Sequence, residues 1–267
     1  MKLTYYILVL TVLFSCQKVI DVTVEDADEN VVIDAFYDAN ESYVNVKITR
    51  SRALFSGEDF PVIGGAEIEL TAPSGDKYTL VEIQEGEYEL ENLSPDFNST
   101  YVMKVTVEGQ VYEAAAFLPT PVVLDSLTQE FQPQSIFGAE GYIVYMNLTD
   151  PGGENYYRAI RTVNDTLQAE LGDQFLFDNS FSEGNSQRVP FFGSRYQPED
   201  IIQVELRSYS KEAAQYYSDL FAVAGGGGQS AAPANPRSNW SNNALGLFNA
   251  YGYDRLTIEI VAEENAN

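Results

Sequence analysis

The chain has 267 residues, of which 40 are acidic and 15 basic, giving a formal net charge of −25; it contains no histidine and one cysteine. A surface this negative repels nucleic acid and anionic lipid headgroups, which excludes nucleic-acid binding. Without histidine there is no Ser-His-Asp or Cys-His catalysis and no His/Cys zinc site, while carboxylate chemistry and oxygen-ligand metals remain possible.

The first element is a leader. Lys2 precedes an apolar run from Tyr5 to Phe14, and Ser15 stands before Cys16. A short positive start, an apolar stretch and a small residue before the cut make a secretory signal over residues 1–15. The run is about half of the ~20 residues that a membrane span needs. A cysteine directly after the cut has the lipobox arrangement, so Cys16 is expected to carry a covalent diacylglycerol and an N-acyl lipid. Two or three acyl chains (palmitate, for example) hold a protein on a membrane effectively permanently. Residues 16–30, with Glu25-Asp26-Ala27-Asp28-Glu29, read as an acidic tether without a core-forming pattern.

From Val31 the hydropathy alternates. Val44, Val46 and Ile48 alternate with Asn45, Lys47 and Thr49, and Ile68 and Leu70 sit between Glu67, Glu69 and Thr71. Lys77–Ile83 follows a Pro73-Ser74-Gly75-Asp76 turn, Gly86 precedes Glu87–Leu90, and Glu108-Gly109 joins two strands as a tight hairpin. Some seven half-buried strands at this spacing predict an immunoglobulin-like β-sandwich over residues 31–118. Leu118-Pro119-Thr120-Pro121 marks a stiff boundary.

Residues 119–267 are expected to form a second β-rich domain with one packed helix, so the fold class is mainly all-β. Tyr142–Leu148, Asn155–Val163, Ile202–Leu206 and Leu256–Ile260 supply strands. The helix is expected over Lys211–Ala224, capped by Ser210 and ended by Gly225, with Ala213, Tyr217, Leu220 and Ala224 on one face. Residues 225–236 form a Gly/Pro-rich loop. Its glycines end a helix and no lysine follows them, unlike a phosphate loop.

Aromatic residues are the candidate ligand contacts, because rings stack on apolar faces while their polar tips hydrogen-bond. Trp240, Tyr251, Tyr253, Phe191 and Phe192 are the chosen positions, and 233–253 is the chosen binding segment. Strand propensity alone also accounts for many of these rings. No Gly-x-Ser-x-Gly is present and no nucleophile–base set can be named, so no catalytic residue and no metal site are expected.

The order of these features resembles the Bacteroidota lipoproteins grouped as domain of unknown function 4249. The carrying segments are the lipobox, Val31–Phe36, Tyr43–Ser51, Ala66–Leu70, Leu118-Pro119-Thr120-Pro121 into Leu124–Leu127, Asn155–Arg158 and Ala244–Phe248. The resemblance implies a lipid-anchored outer-membrane protein partnering a TonB-dependent receptor, with no established catalytic residues. Surface display in that phylum is commonly signalled by a lysine followed by acids just after the lipid cysteine. Here Lys18 is followed by Val19 and Ile20 before Asp21, a departure from that pattern, and the cell-surface side is favoured over the periplasmic side. The leading expectation is a non-enzymatic accessory to such a receptor. A stand-alone glycan- or peptide-binding adhesin and a carboxylate-dependent hydrolase are the alternatives.

Overall fold

The computed structural model describes residues 29–52, 59–134, 139–170, 175–179, 184–191, 194–225 and 235–263. The leader, Cys16, most of the tether, Phe192 and most of the Gly/Pro-rich loop lie outside the described residues. In chain order the elements are β1 (Val31–Asp38), β2 (Tyr43–Arg50), β3 (Glu67–Thr71), β4 (Lys77–Thr79), β5 (Val81–Gln84), β6 (Glu87–Leu90), β7 (Ser99–Val107) and β8 (Gln110–Leu118). They continue as β9 (Leu124–Gln132), β10 (Gly141–Thr149), β11 (Tyr156–Val163), β12 (Thr166–Leu167), β13 (Phe175–Asp178), β14 (Ser186–Pro190), β15 (Ile201–Tyr209), α1 (Lys211–Ala224) and β16 (Phe248–Glu259).

One nine-stranded sheet runs the length of the molecule in the order β12-β11-β15-β16-β1-β2-β6-β5, with β13 also on β11. Two smaller sheets, β4-β3-β7-β8 and β14-β10-β9, complete the strands. The first half is the expected immunoglobulin-like β-sandwich: β1, β2 and β6 of the long sheet face β3, β7 and β8. Its core is made by the inward residues of the period-two pattern, among them Ile33, Val46, Ile48, Leu70, Met103 and Val105. The second sandwich closes Val144, Met146 and Leu148 of β10 over Ile202, Val204 and Leu206 of β15.

The segment expected as a single strand over Lys77–Ile83 is split. β4 pairs with β3, β5 pairs with β6, and Leu80 between them is buried. The chain therefore changes sheets at Leu80, because its inward side chain plugs the edge of the sandwich. The Glu108-Gly109 hairpin has both residues at positive φ, 51° and 77°, as a two-residue turn matched to strand twist requires.

The strand order crosses the expected division at residue 119. The last strand, β16, belongs to both sandwiches. Its first four residues lie parallel to β1, pairing Ala35 with Phe248 through Asp38 with Tyr251. From Gly252 to Glu259 it lies antiparallel to β15. The approach to β16 extends the first pairing, with Ile33 N–H donating to Leu245 O at 2.9 Å and Ala35 N–H to Leu247 O at 2.8 Å. Phe248 and Ala250 enter the first core, while Leu256 and Ile258 pack on the second. Even-numbered residues face inward along the whole strand, so one uninterrupted alternation serves two cores. Gly246 is needed at the entry: its φ is +97°, and a Cβ there would overlap the carbonyl of Ile33.

α1 forms where expected. Ser210 Oγ accepts from Ala213 N–H at 3.2 Å, and Glu212 lies in the first turn. Its anchoring comes from the first two turns, through buried Ala213 and Ala214, whereas Ala224 of the expected face is exposed. Gly225 closes the helix with φ −71° and a bond from its N–H to Phe221 O at 2.9 Å, so the left-handed freedom of glycine is unused there.

Candidate functional site

Four of the five aromatic residues chosen from sequence are buried, and the fifth, Phe192, lies outside the described residues. Trp240 is 6 % exposed, packs on Phe248, and donates its indole N–H to Ile33 O at 2.9 Å. Phe191 is buried in the second core against Phe175, with Arg161 over its ring. Tyr251 and Tyr253 are also buried, although on the outer face of the long sheet. None of these four rings offers a free face to a ligand. An indole in an irregular segment suits the core because its single donor meets a strand carbonyl there.

On that outer face the sequence brings together tyrosines, arginines and acids from β1, β11, β15, α1 and β16. Tyr209 stacks on Tyr217 of α1 with centroids 5.2 Å apart and meets Tyr251 edge-on at 5.9 Å. Arg207 lies 4.4 Å above the Tyr251 ring, Arg255 4.7 Å above Tyr253, and Arg158 4.7 Å above Tyr217. Buried Glu205 accepts from Arg207 Nε at 2.6 Å and also from Arg255. Tyr251 donates to Asp38 Oδ2 at 3.2 Å, and Tyr253 donates to Glu41 Oε1 at 2.9 Å. Burial pushes the Asp38 carboxyl up despite the amide bonds from Glu41 and Asn40, and pushes the Tyr253 hydroxyl up to about 12. Each charge in this layer is matched to a neighbour, so the cluster works as cement between α1 and the sheet.

The open concave feature lies at the junction of the two sandwiches. It is a cleft of about 850 Å³. Its floor is the connection Pro119–Val123, one wall carries Asn98 and Phe117 of the first sandwich, and the other carries Pro151–Tyr156 with the N-terminal turn of α1. The floor is tied to both strands behind it: Val122 N–H donates to Ser208 Oγ at 3.0 Å and Leu124 N–H to Asp254 Oδ2 at 2.8 Å. Gly252 admits this approach, because a Cβ there would stand about 3.2 Å from Pro121 and 3.1 Å from Phe97. The prolines that suggested a boundary thus floor a groove.

Asp150 holds the far wall. Its carboxylate is buried and accepts from Tyr157 Oη at 2.8 Å, Asn179 Nδ2 at 2.8 Å, Gly184 N–H at 2.9 Å and Gly152 N–H at 3.1 Å. Burial alone would raise this carboxyl, but the donors outweigh it and hold it below the usual aspartate range. Asn155 closes the turn by donating to Gly152 O at 2.8 Å. Sequence reading missed the cleft because its lining comes from segments that periodicity treats as connections.

Chemically the cleft suits binding. Asp125, Glu154 and Glu212 line it together with Lys211, which pairs with Glu154 at 3.0 Å. The carboxyls that burial raises, Asp34 and Asp38, do not line it. Among the described residues no group of three or more carboxylates or cysteines is placed to hold a metal ion. No described helix is long and apolar enough to cross a membrane.

Two solved structures match this chain at low similarity. The chicken interferon gamma receptor alpha chain matches at 10 % identity over 67 % of this chain and 88 % of its own, with a TM-score of 0.21. The FN1–FN3 domains of chicken CNTN1 match at 10 % identity over 66 % of this chain and 57 % of their own, with a TM-score of 0.27. No curated protein is significantly similar. The family profile described as domain of unknown function (DUF4249) matches residues 17–257, and the chain belongs to that family.

Proposed function

We propose that this protein is a lipid-anchored, non-catalytic binding subunit of the outer membrane that serves a TonB-dependent receptor, with its body on the cell-surface side. The observation that carries the reading is the position of the sole cysteine, Cys16, directly after the leader and ahead of an acidic tether. The junction of the two sandwiches supports it by presenting an open cleft, as a docking subunit needs. The glycan-binding alternative loses support from the burial of Trp240 and Phe191, since stacking on sugar requires an exposed ring.

The test is purification of the tagged protein from native membranes in mild detergent, with Cys16→Ala alongside. The reading expects a stoichiometric receptor with the wild-type protein and release of Cys16→Ala from the membrane fraction. A lipidated protein that purifies without any receptor would overturn it.

A further inference from the structure

We propose that the cleft between the sandwiches binds an extended basic peptide segment, contributed by the receptor partner of the reading above, on which this inference rests. Three observations converge. First, the lining crosses the junction: Phe117 stands on one side, Tyr156 on the other, and Pro119, Pro121 and Val123 between them. Phe117 is 40 % exposed and Val123 is 67 % exposed, although both adjoin buried core residues. Apolar groups placed on a floor that is hydrogen-bonded to β15 and β16 are held ready for contact rather than left over from packing.

Second, the polar part of the lining is acidic. Three carboxylates face one ammonium, and that ammonium is already paired with Glu154. Among the described residues Asp125 accepts only the Thr149 hydroxyl, at 2.9 Å, and Glu212 makes no ion pair. The charge of the whole chain, −25, adds to the attraction for a cation.

Third, the two prolines carry no N–H, so the floor cannot extend a sheet through those positions. Recognition then runs through side chains and the carbonyl oxygens of the floor. Apolar steps between carboxylates suit a strand-like segment that alternates basic and apolar residues. The volume, within the ordinary range for ligand sites of roughly 300–1,000 Å³, takes a short stretch of such a chain.

The experiment uses the full lipidated protein in detergent and a fluorescent short peptide alternating lysine and valine. Its counterpart with glutamate for lysine and a neutral oligosaccharide, maltohexaose, are the competing probes. The expected result is saturable binding of the lysine peptide alone, weakened about tenfold or more by Asp125→Lys/Glu212→Lys. Glu67→Lys/Glu259→Lys changes the net charge equally at exposed positions outside the cleft and should leave binding within about twofold. Circular dichroism with matching melting curves establishes that both double variants fold, and Val123→Ser supplies an uncharged variant of the same site. Equal loss in both double variants would reduce the effect to general charge attraction and overturn the proposal. Binding of the glutamate peptide or maltohexaose in preference would overturn it as well. If the receptor co-purifies undiminished with Asp125→Lys/Glu212→Lys, the proposal falls while the accessory reading stands. If wild-type protein brings down no receptor, the accessory reading falls, and the peptide titration alone decides what the cleft takes.

Discussion

The two sandwiches bury their cores by different means. In the first, the core-facing buried side chains are aliphatic and aromatic, with buried Asp38 and Asn249 on the outer face of the sheet, and the core's polar tips meet one or two partners: Tyr37 donates to Leu93 O at 2.8 Å, Tyr88 donates to Glu82 at 3.0 Å and accepts from Ala66 N–H at 2.8 Å, and Trp240 donates to Ile33 O. The second buries Asp150, Arg161, Asn179 and Ser208, with Glu205 buried on the outer face of its sheet, each with hydrogen-bond partners. Apolar packing is tolerant of detail, whereas a buried carboxylate is stable only when its donors are all in place. The first sandwich is therefore an adaptable frame. The second spends directional bonds on holding irregular segments, above all the turn at 150–155 that walls the cleft.

This contrast can be broken most severely from the first side. Trp240→Ala removes a buried ring and orphans the Ile33 carbonyl, and should cost about 4 kcal/mol in denaturant unfolding. Asp150→Ala should cost about 3 kcal/mol, because the Tyr157 hydroxyl and the Asn179 amide lose their acceptor in a buried setting. It should also raise amide exchange through 152–155, whereas Trp240→Ala should not act on that turn selectively. A loss below ~1 kcal/mol for Asp150→Ala would mean that the polar network is dispensable. Glu205→Gln keeps an acceptor but uncouples Arg207 from Arg255, for about 2 kcal/mol.

Acid sharpens the same comparison. Asp150 has a lowered folded pKa, so its contribution is complete above about pH 4, its ordinary unfolded range, and is lost as pH falls through the folded value. Asp38 has the opposite sign: its folded pKa is raised, so the protonated form is the stable one, and its contribution fades as pH rises above about 4. Asp38→Asn, which keeps the Oδ1 acceptor for Asn40 and Glu41, should thus raise the melting midpoint slightly at pH 7 and leave it unchanged near pH 3. Asp150→Asn should instead flatten the acid limb of the stability curve. Identical pH profiles for both variants would remove the electrostatic basis of the contrast.

Legibility from the sequence follows this division. Strands such as Tyr43–Arg50 and Ser99–Val107 were readable because burial repeats every second residue, and α1 was readable from its cap and apolar face. The sharing of β16 was not. Phe248–Glu259 carries one continuous alternation, and nothing local says that its partner changes from β1 to β15 at Gly252. Nor could spacing reveal that Asp150 meets Asn179 and Gly184 about thirty residues away. Trp240 misled because a lone tryptophan in an irregular stretch has the same local pattern whether it faces a ligand or a strand carbonyl.

The central claim is that β16 joins both sandwiches into one cooperative body with the cleft at the joint. The sole tryptophan lies in the first core, so its fluorescence reports that sandwich, while exchange at β10 amides reports the second. Denaturant titration of wild-type protein and of Asp150→Ala, read by both probes, is the direct measurement. The account predicts coincident midpoints in each protein, with Asp150→Ala shifting the Trp240 signal as far as the β10 amides. A Trp240 transition unmoved by Asp150→Ala, while β10 unfolds earlier, would show two independent domains and contradict it.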